Sequence, residues 1–372
     1  MNSSLIVHFS VLPDPRRDIN KKHLLIDIVV IALAAAISGA EGWNEVEEFG
    51  RLREKWLRSF LALPYGVPSH DTFRDVFMRL DPREFGKCFL AFVDDLSAEQ
   101  KEKTIAIDGK SLRRSFDKAA GKSVLHLVNA WSSELGISLG QVAVAEKSNE
   151  ITAVPKILDV LDLKSATVTL DAMGCQTEVA AKVCDRGGDY VLAVKENQKG
   201  LFDEIDDFFR LSEAEHFADV TYESFECVEK DHGRIETRKY YLAHDLDVIS
   251  NRMAWKNLRG LGMVISTRQV NGTNSYARRY FITSHGEGKI KRFAKSVRAH
   301  WAVENNLHWC LDVVFHEDAC RKRKDNSAEN FASIRKLALT LLKKETSRKL
   351  SVRGKRHLAT MSQDYLDTVL FG

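Results

Sequence analysis

Two aspartates follow strand-like segments of the sequence in similar settings. Asp108 ends the segment TIAID and precedes Gly109 and Lys110, while Asp171 follows ATVTL and precedes Ala172. Because ligand sites in open α/β sheets lie at the carboxyl ends of strands, the two carboxylates can converge at one edge. Carboxylate oxygens are the hard ligands that Mg²⁺ prefers. The pattern predicts a metal-binding pair, and a turn or helix-cap role for each Asp is the structural alternative.

A third candidate carboxylate, Glu304, lies in the segment RAHWAVENNLHWCLDVVFHED at residues 298–318. In a helix, His300, Glu304 and His308 are spaced four apart and lie near one face. We expect Glu304 to point from this helix towards the sheet. An amphipathic helix with a surface Glu is one alternative, and a zinc site formed by all three residues is another. The spacing differs from the His-Glu-x-x-His pattern of zinc hydrolases, which disfavours the zinc site.

Three other acids close to Glu304 compete for the same role. Asp312 is eight residues farther on, which corresponds to about 12 Å along a continuous helix. The two carboxylates could not easily reach the same ion pair. Glu317 and Asp318 precede a basic run, RKRK at residues 321–324, where salt bridging is the simpler interpretation. We therefore predict that Glu304 is the third ligand and that Asp312 acts mainly through stability.

The elements that must position these acids form an α/β pattern from residue 103 onwards. Five strand-like segments are TIAID, SVLHLVNAWSS, GISLGQVAVAE, ATVTLDA and DYVLAVK, with the second and third joined at residues 134–136. Two helix-like segments are ITAVPKILDVLDL and CQTEVAAKVCDRGG. Three strands, a helix, a strand, a helix and a strand predict an α/β sheet. Residues 200–285 are β-rich, with Asn271-Gly272 as a hairpin signal, and helical patterning returns from 287 to about 345.

Residues 1–100 are predicted to be mostly helical. The apolar run LLIDIVVIALAAAISGA at residues 24–40 contains Asp27 and is too short between charges for a bilayer, so we predict a buried helix rather than a membrane span. Ser69 can cap a helix over HDTFRDVFMRL. That helix could be the second helix of a helix-turn-helix or a member of a plain bundle.

The net charge of +3 is small, but the charges are unevenly distributed. Residues 343–357 carry seven Lys or Arg and one Glu, and further basic clusters lie at 289–298 and 321–324. This asymmetry favours binding of a polyanionic partner. The alternative is that the basic residues lie on helix faces exposed only to solvent. The six cysteines form no Cys-x-x-Cys pair, and no signal peptide is indicated, so we expect a cytoplasmic protein.

Many segments of the chain, in order, resemble the DDE transposases of the H-repeat-associated insertion-sequence family. They include LPDPRR, AAAISGAEGWNEVEEFG, PSHDTFRDVF, IAIDGKSLRRSFD, EKSNEITAVPKILDVLD, TLDAMGCQ, GGDYVLAVKENQ, HGRIETR and HWAVENNLHWCLDVVFHEDACRKRKDNSAENFASIRKLAL. The resemblance implies an α/β fold with an RNase H-like mixed-sheet catalytic core. The implied domains are a helical domain at 1–100, the core at 101–199 and 286–345, a β-rich insertion at 200–285 and a basic tail at 346–372.

The resemblance also implies a catalytic and metal-binding triad of Asp108, Asp171 and Glu304. Their separations are 63 and 133 residues, and the β-rich block falls in the longer gap. In the wider group a Tyr, an Arg and a Lys flank the glutamate, whereas this chain has Val297, His300 and Leu311 at those positions. The phosphate-handling role of those three positions therefore does not carry over directly.

The implied activity is metal-dependent DNA cleavage followed by strand transfer. Two Mg²⁺ ions, for which Mn²⁺ can substitute, would activate the attacking oxygen and stabilise the leaving oxygen at the scissile phosphate. The expected partner is double-stranded DNA, both element ends and target, bound by a homo-oligomer. The residues expected to contact its backbone are Lys110, Arg113, Arg114, Arg298, His300, Arg321 and Arg323.

Two other functions fit the same fold. A host nuclease would share the metal site but would cleave without strand transfer. A domesticated DNA-binding protein would bind terminal repeats and would not cut, although such a protein has no need of three acids. We expect DNA affinity to fall steeply with salt in all cases, because phosphate contacts release counterions.

Overall fold

The computed structural model describes residues 4–19, 21–97, 103–116, 123–144, 150–231, 233–270 and 272–372. Asn271, the first residue of the predicted hairpin turn, lies outside these ranges. The chain forms two compact units. We call residues 1–100, 109–148 and 304–372 the helical unit, and residues 101–108 and 149–303 the sheet unit.

The described residues contain fourteen α-helices and nine strands. The helices are α1 Ser4–Ser10, α2 Leu25–Ile37, α3 Trp43–Leu52, α4 Glu54–Leu57, α5 His70–Arg79, α6 Pro82–Ser97, α7 Glu150–Val160, α8 Thr177–Asp185, α9 Lys199–Ala214, α10 Ile290–Val303, α11 Trp309–Val313, α12 Ser327–Lys344, α13 Val352–Met361 and α14 Gln363–Phe371. The strands are β1 Lys103–Leu112, β2 Leu125–Ser132, β3 Ile137–Ala143, β4 Ala166–Leu170, β5 Asp189–Val194, β6 Tyr222–Asp231, β7 Arg234–Ala243, β8 Gly260–Val270 and β9 Thr273–Thr283.

The sheet unit contains a mixed sheet with the strand order β1-β4-β5-β9-β8-β7-β6. Strands β1, β4 and β5 are parallel, and the four from β9 to β6 are antiparallel. All five residues of β4 are buried, which is typical of a parallel strand covered on both faces. Helices α7 and α8 connect β3 to β4 and β4 to β5, so the predicted alternation of strands and helices is confirmed here.

Helix α10 packs on the antiparallel part of this sheet. Its Phe293 and Val297 belong to a buried cluster with Val191, Tyr240 and Phe281. The aromatic rings of Phe281 and Phe293 meet edge to face, with centroids 5.7 Å apart. This apolar contact fixes α10 on the sheet and thereby sets the position of the residues at its C-terminal end.

Helix α2 lies in the core of the helical unit. From Ile28 to Ile37 its residues are all buried, and it contacts α12, which is itself buried along most of its length. The predicted buried helix is therefore confirmed. In the part of the chain that the structure describes, no helix is long and apolar enough to cross a membrane.

Strands β2 and β3 form the predicted hairpin, with Gly136 in its turn at a φ of 66°, a left-handed value that favours glycine. In the helical unit the end of β1 contributes Leu112 to a buried cluster with Leu127, Ala328 and Ala332. Strand β1 thus runs through both units: Asp108 is the last residue of its sheet-unit part, and Gly109 is the first of its helical-unit part.

Two sequence interpretations differ from the structure. The segment 346–372, interpreted as a basic tail, forms α13 and α14, because Leu366, Val369 and Leu370 recur at helical spacing and are buried. The predicted insertion at 200–285 contains α9 and four strands, as its β-rich pattern indicated, but these strands continue the sheet through the β5–β9 pair. The boundaries of the two compact units therefore differ from those of the predicted domains. The limits of the functional domains stay a prediction.

Close packing at Gly262 gives a test of the sheet unit. A Cβ atom at this position would overlap the ring of Phe293 and lie 3.3 Å from the Cβ of Phe281. We expect Gly262→Ala to lower the free energy of unfolding by about 1–3 kcal/mol, since overpacking forces neighbours to move. Denaturant unfolding measures the change. The matched control is Gly200→Ala in α9, where nothing lies within 4 Å, and equal destabilisation of both variants would contradict this packing.

Candidate active site

The two candidate aspartates occupy equivalent positions on adjacent parallel strands. Ile107 of β1 pairs with Leu170 of β4, and the next residues along the two strands are Asp108 and Asp171. Neighbouring strands lie about 4.8 Å apart, and residues at the same level of a parallel pair project to the same face. Both aspartates are half-buried. Asp171 directly follows the last residue of β4, as predicted, whereas β1 continues beyond Asp108 to Leu112, so the prediction that Asp108 ends its strand is wrong. The register nevertheless sets the two aspartates at the same level, where β4 ends.

The Asp171 carboxylate is held by the backbone that follows it. Its Oδ1 accepts hydrogen bonds from the N–H groups of Met173 and Gly174, at 3.0 and 3.3 Å, in a short 3₁₀ turn. The Asn197 side chain donates to the carbonyl of Ala172 at 2.7 Å and braces the same turn. The helix-cap alternative is thus also correct for Asp171. Because both bonds go to Oδ1, the second oxygen can ligate a metal ion.

His300 projects from α10 towards the same strand. Its Nδ1 lies 3.5 Å from the Oγ1 of Thr169, two residues before Asp171. Burial lowers the pKa of His300 below its usual value, and the charge of Asp171 opposes this shift only in part. The imidazole is therefore mainly neutral at neutral pH, so His300 does not supply the positive charge of the Arg that the wider family has at this position.

Two further cations of the sheet unit are Lys195, after β5, and Arg298, which pairs with an acid of β6. Lys195 is exposed directly after β5 and interacts electrostatically with His300. Arg298 on α10 donates to both carboxylate oxygens of Glu229, at 3.1 and 2.9 Å, and stays partly exposed. Sequence reasoning did not identify Lys195 or Asn197. The sequence feature that could have identified them is the segment KENQ, which directly follows the fifth predicted strand. That strand is the neighbour of the predicted strand that ends at Asp171.

Glu304 begins a π-helical turn, Glu304–His308, in the helical unit. The turn follows α10 directly and leads into α11, so the run of helix is not the regular α-helix assumed from the sequence. Glu304 is exposed, and so is Trp309, with 57% of its surface accessible. Single π turns inside helices are rare and are frequent at functional sites, because the extra residue in the turn reorients neighbouring side chains.

Lys110 is the centre of a buried charge network in the helical unit. Its side chain is 8% exposed, and its Nζ lies 2.5 Å from Asp312 Oδ1, 3.9 Å from Glu317 Oε2 and 4.0 Å from Asp318 Oδ1. Lys336, fully buried nearby, donates to the Gln141 side chain. Burial lowers the pKa of Lys336 to about 8, and Glu317 opposes the shift. This structure favours a role for Lys110 inside the protein over the predicted contact with DNA.

Four arginines predicted to contact DNA also lie in the helical unit. Arg113 is 80% exposed and pairs with Asp318 at 3.1 Å. Arg323 donates to the backbone carbonyl of Arg114 at 3.0 Å, and its guanidinium lies 4.8 Å from the ring centre of Phe116. Arg114 and Arg321 are exposed. These four side chains can present positive charge to solvent, and Lys110 cannot.

Within the described ranges, no three His, Cys, Asp or Glu side chains form a group that could hold a metal ion. The zinc hypothesis for His300, Glu304 and His308 gains no support from this arrangement. Asp108 and Asp171 directly follow the paired residues Ile107 and Leu170 in the sheet unit, and Glu304 belongs to the helical unit. Two carboxylates with hard oxygen atoms fit the demands of Mg²⁺, which usually takes one or two carboxylates together with water and substrate phosphates.

Two family models match the chain. The model described as DDE_Tnp_1-associated matches residues 6–93, and the model described as transposase DDE domain matches residues 99–341. The first match covers most of the N-terminal helices. The second includes all three candidate acids.

Curated relatives match over nearly the full length. The "H repeat-associated putative transposase YhhI" of Escherichia coli (strain K12) is 38% identical over 99% of this chain and 98% of its own length. The "Putative transposase YncI" of Escherichia coli O157:H7 is 39% identical over 99% of this chain and 94% of its own. A solved piggyBac transposase synaptic complex with hairpin DNA aligns at 10% identity and a TM-score of 0.42, over 100% of this chain and 80% of that one, which is too low to support an inference.

The Lys110 network gives a test of the helical unit. We expect Lys110→Met to lower the free energy of unfolding by about 3 kcal/mol, because the buried Glu317 and the partly buried Asp312 would lose this counter-ion. Arg113→Ala is the matched control, since an exposed pair contributes less than about 1 kcal/mol. Denaturant unfolding of both variants measures the difference. If the Lys110 variant is as stable as the control, the ammonium does not hold these acids together.

Proposed function

This chain belongs to the family of transposases with a DDE domain, and we propose that Asp108, Asp171 and Glu304 are the three acids of its active site. The observation that supports the proposal is the strand register: Ile107 of β1 pairs with Leu170 of β4, and Asp108 and Asp171 are the next residues of the chain. Glu304 is assigned from its match to the family pattern, and its exposed position in a π turn supports it.

We further propose that the catalytic core is RNase H-like. The support is the strand order β3-β2-β1-β4-β5, in which β2 and β3 pair antiparallel while β4 and β5 run parallel to β1. Strands β6–β9 would then be the insertion that precedes the glutamate. Their antiparallel hairpins occupy the sequence between Asp171 and Glu304, as the family pattern requires.

We propose that these three acids bind Mg²⁺, for which Mn²⁺ can substitute. Divalent ions at such a site polarise the phosphate and favour ionisation of an attacking hydroxyl group. The protein supplies the position of the ligands. The two N–H bonds to Asp171 Oδ1 fix that carboxylate before any ion binds, and the Asn197 brace keeps the turn in place.

Positive charge near the acids would hold the DNA backbone. In the sheet unit we propose Lys195 and Arg298 for this role, with His300 as a neutral donor or acceptor. In the helical unit we propose the exposed arginines described above. Lys110 is left out of this set because its ammonium is buried among carboxylates. The substrate that we propose is double-stranded DNA at element ends and at the target, bound by a homo-oligomer in the cytoplasm.

The reaction that we propose is cleavage at the element end followed by transfer of the 3′-hydroxyl end to target DNA. One site can perform both steps because each is an in-line displacement at phosphorus. A host nuclease would give cleavage without joined products, and a DNA-binding protein would give neither. Incubating the purified chain with labelled end DNA, a target plasmid and Mg²⁺ distinguishes the three by the products on a denaturing gel.

The double role of Asp171 allows a matched pair of variants. Asp171→Asn keeps an oxygen that can accept the N–H bonds but loses the charge, so we expect stability within about 0.5 kcal/mol of wild type. Asp171→Ala loses both, and the missing cap should cost about 1 kcal/mol. Both should lower the cleavage rate by roughly a thousandfold, since metal ions supply several kcal/mol of transition-state stabilisation. Cleavage by Asp171→Asn at the wild-type rate would contradict its role as a ligand.

A second pair of variants distinguishes the role of Glu304 from that of Asp312. We expect Glu304→Gln to abolish Mg²⁺-dependent cleavage while leaving DNA affinity nearly unchanged, because the residue is exposed and contributes charge to the ions alone. Asp312→Asn should mainly lower stability, since Asp312 pairs with the buried Lys110. Cleavage assays and unfolding curves on both proteins give the comparison. Cleavage that survives Glu304→Gln and is lost in folded Asp312→Asn would reverse the assignment.

A further inference from the structure

A cleft of about 810 Å³ opens in the helical unit, lined by residues from the segments 15–19 and 21–23, here called the loop, and from α5. Five of its eleven lining residues are Lys or Arg, and Asp75 is the only acidic one. We propose that this cleft binds the phosphate backbone of double-stranded DNA. The proposal rests on the proposed function, because it assumes that the chain acts on DNA, and it adds a contact surface apart from the acids.

The loop that forms one wall is held by its own hydrogen bonds. Arg16 forms a two-pronged pair with Asp14, with Nε–Oδ1 at 3.0 Å and Nη2–Oδ2 at 2.7 Å, and it also donates to the carbonyl of His23 at 2.7 Å. Lys21 pairs with Asp18 at 2.8 Å. These two cations are occupied within the protein, so they shape the loop rather than supply free charge to a ligand.

Three other cations of the cleft are available to a ligand. Arg17, Lys22 and Arg79 are exposed, and none of them forms an ion pair with another residue that the structure describes. Asp75, the acid in the cleft, already contacts Arg74 at 3.3 Å. The cleft therefore has an uncompensated positive charge in a chain whose overall net charge is only +3. Such a concentration of positive charge on one surface is typical of a site that binds a polyanion.

The form of the cleft favours a polymer over a small anion. The three available cations come from two different elements, Arg17 and Lys22 from the loop and Arg79 from the last turn of α5. Ile19, another lining residue, has 80% of its surface accessible and adds apolar surface to the cleft. A duplex backbone presents successive phosphates joined by apolar sugars, and it can meet separate cations at once. A single phosphate ion could neutralise only part of this charge.

The test is DNA binding by a triple variant, Arg17→Ala, Lys22→Ala and Arg79→Ala, in the full chain. Fluorescence anisotropy with a 40-base-pair duplex of arbitrary sequence is measured in EDTA, so that no cleavage occurs, over a range of NaCl concentrations. Each phosphate contact adds about 0.9 to the slope of log K against log salt. We expect the slope to fall by about 2 to 3 in the triple variant, with affinity at least tenfold weaker at low salt.

The matched control removes the same charge elsewhere, with Lys199→Ala, Arg210→Ala and Lys239→Ala, which are exposed residues paired with acids. A charge-preserving variant, Arg17→Lys, Lys22→Arg and Arg79→Lys, should bind like wild type. The proposal that the cleft binds DNA is wrong if the salt slope of the alanine triple variant is unchanged, or if the control variant loses as much affinity as the triple variant does. Competition by inorganic phosphate at millimolar concentration that abolishes binding would also overturn it, because a duplex held at several points resists a single ion.

The cleft and the proposed function fail in different ways. If the triple variant loses DNA binding and the wild-type protein never cleaves DNA in Mg²⁺, DNA binding by the cleft is supported and the proposed cleavage reaction is refuted. Wild-type cleavage that depends on Asp171, together with normal binding by the triple variant, would refute the cleft alone. Lys22→Gln, a single exposed change, repeats the binding test if the triple variant does not fold, and its slope should fall by about 0.9.

Discussion

The pairing of β1 with β4 is the constraint on which the candidate site depends. In a parallel pair the residue levels are fixed by the ladder of hydrogen bonds, so Ile107 opposite Leu170 sets Asp108 and Asp171 at the same level of the pair. A shift of one residue would send one of the two side chains to the other face of the sheet. All five residues of β4 are buried, so such a shift would exchange side chains between two packed faces and disrupt the contacts on each. The core of the sheet thus determines where the charges lie.

Most of the strands and helices could be predicted because their signals are local. Strand-like runs, the Ser69 cap, the apolar run of α2 and the hairpin before Gly136 each depend on a few neighbouring residues. That Asp108 and Asp171 belong to one parallel pair could also be predicted from the strand-like segments before them, but the continuation of β1 past Asp108 to Leu112 could not. Glu304 required the family resemblance, because nothing in the residues around it distinguishes a ligand from an exposed acid.

Other features could not be predicted because they depend on distant contacts. Lys110 next to Asp108 was expected to face DNA, but its ammonium is buried beside Asp312, 202 residues away in the chain. The Arg16–Asp14 pair and the cleft beside it depend on how the loop at 15–19 and 21–23 lies against α5. The two C-terminal helices were missed because the density of Lys and Arg concealed a short apolar repeat. In each case the side-chain environment, rather than the residue type, determines the role.

The π turn at Glu304–His308 has a consequence for the tolerance of this region to mutation. A π turn holds one residue more than an α turn, so deleting a single residue within it would convert the run into a regular helix without breaking it. Each residue of an α-helix turns the chain by about 100°. Because the π turn already accommodates that extra residue, its deletion would leave the residues of α11 in nearly the same phase, and Asp312 would stay beside Lys110. We infer that in-frame loss of one codon is tolerated better here than within α11 before Asp312, where it would turn Asp312 away from Lys110 by about 100°.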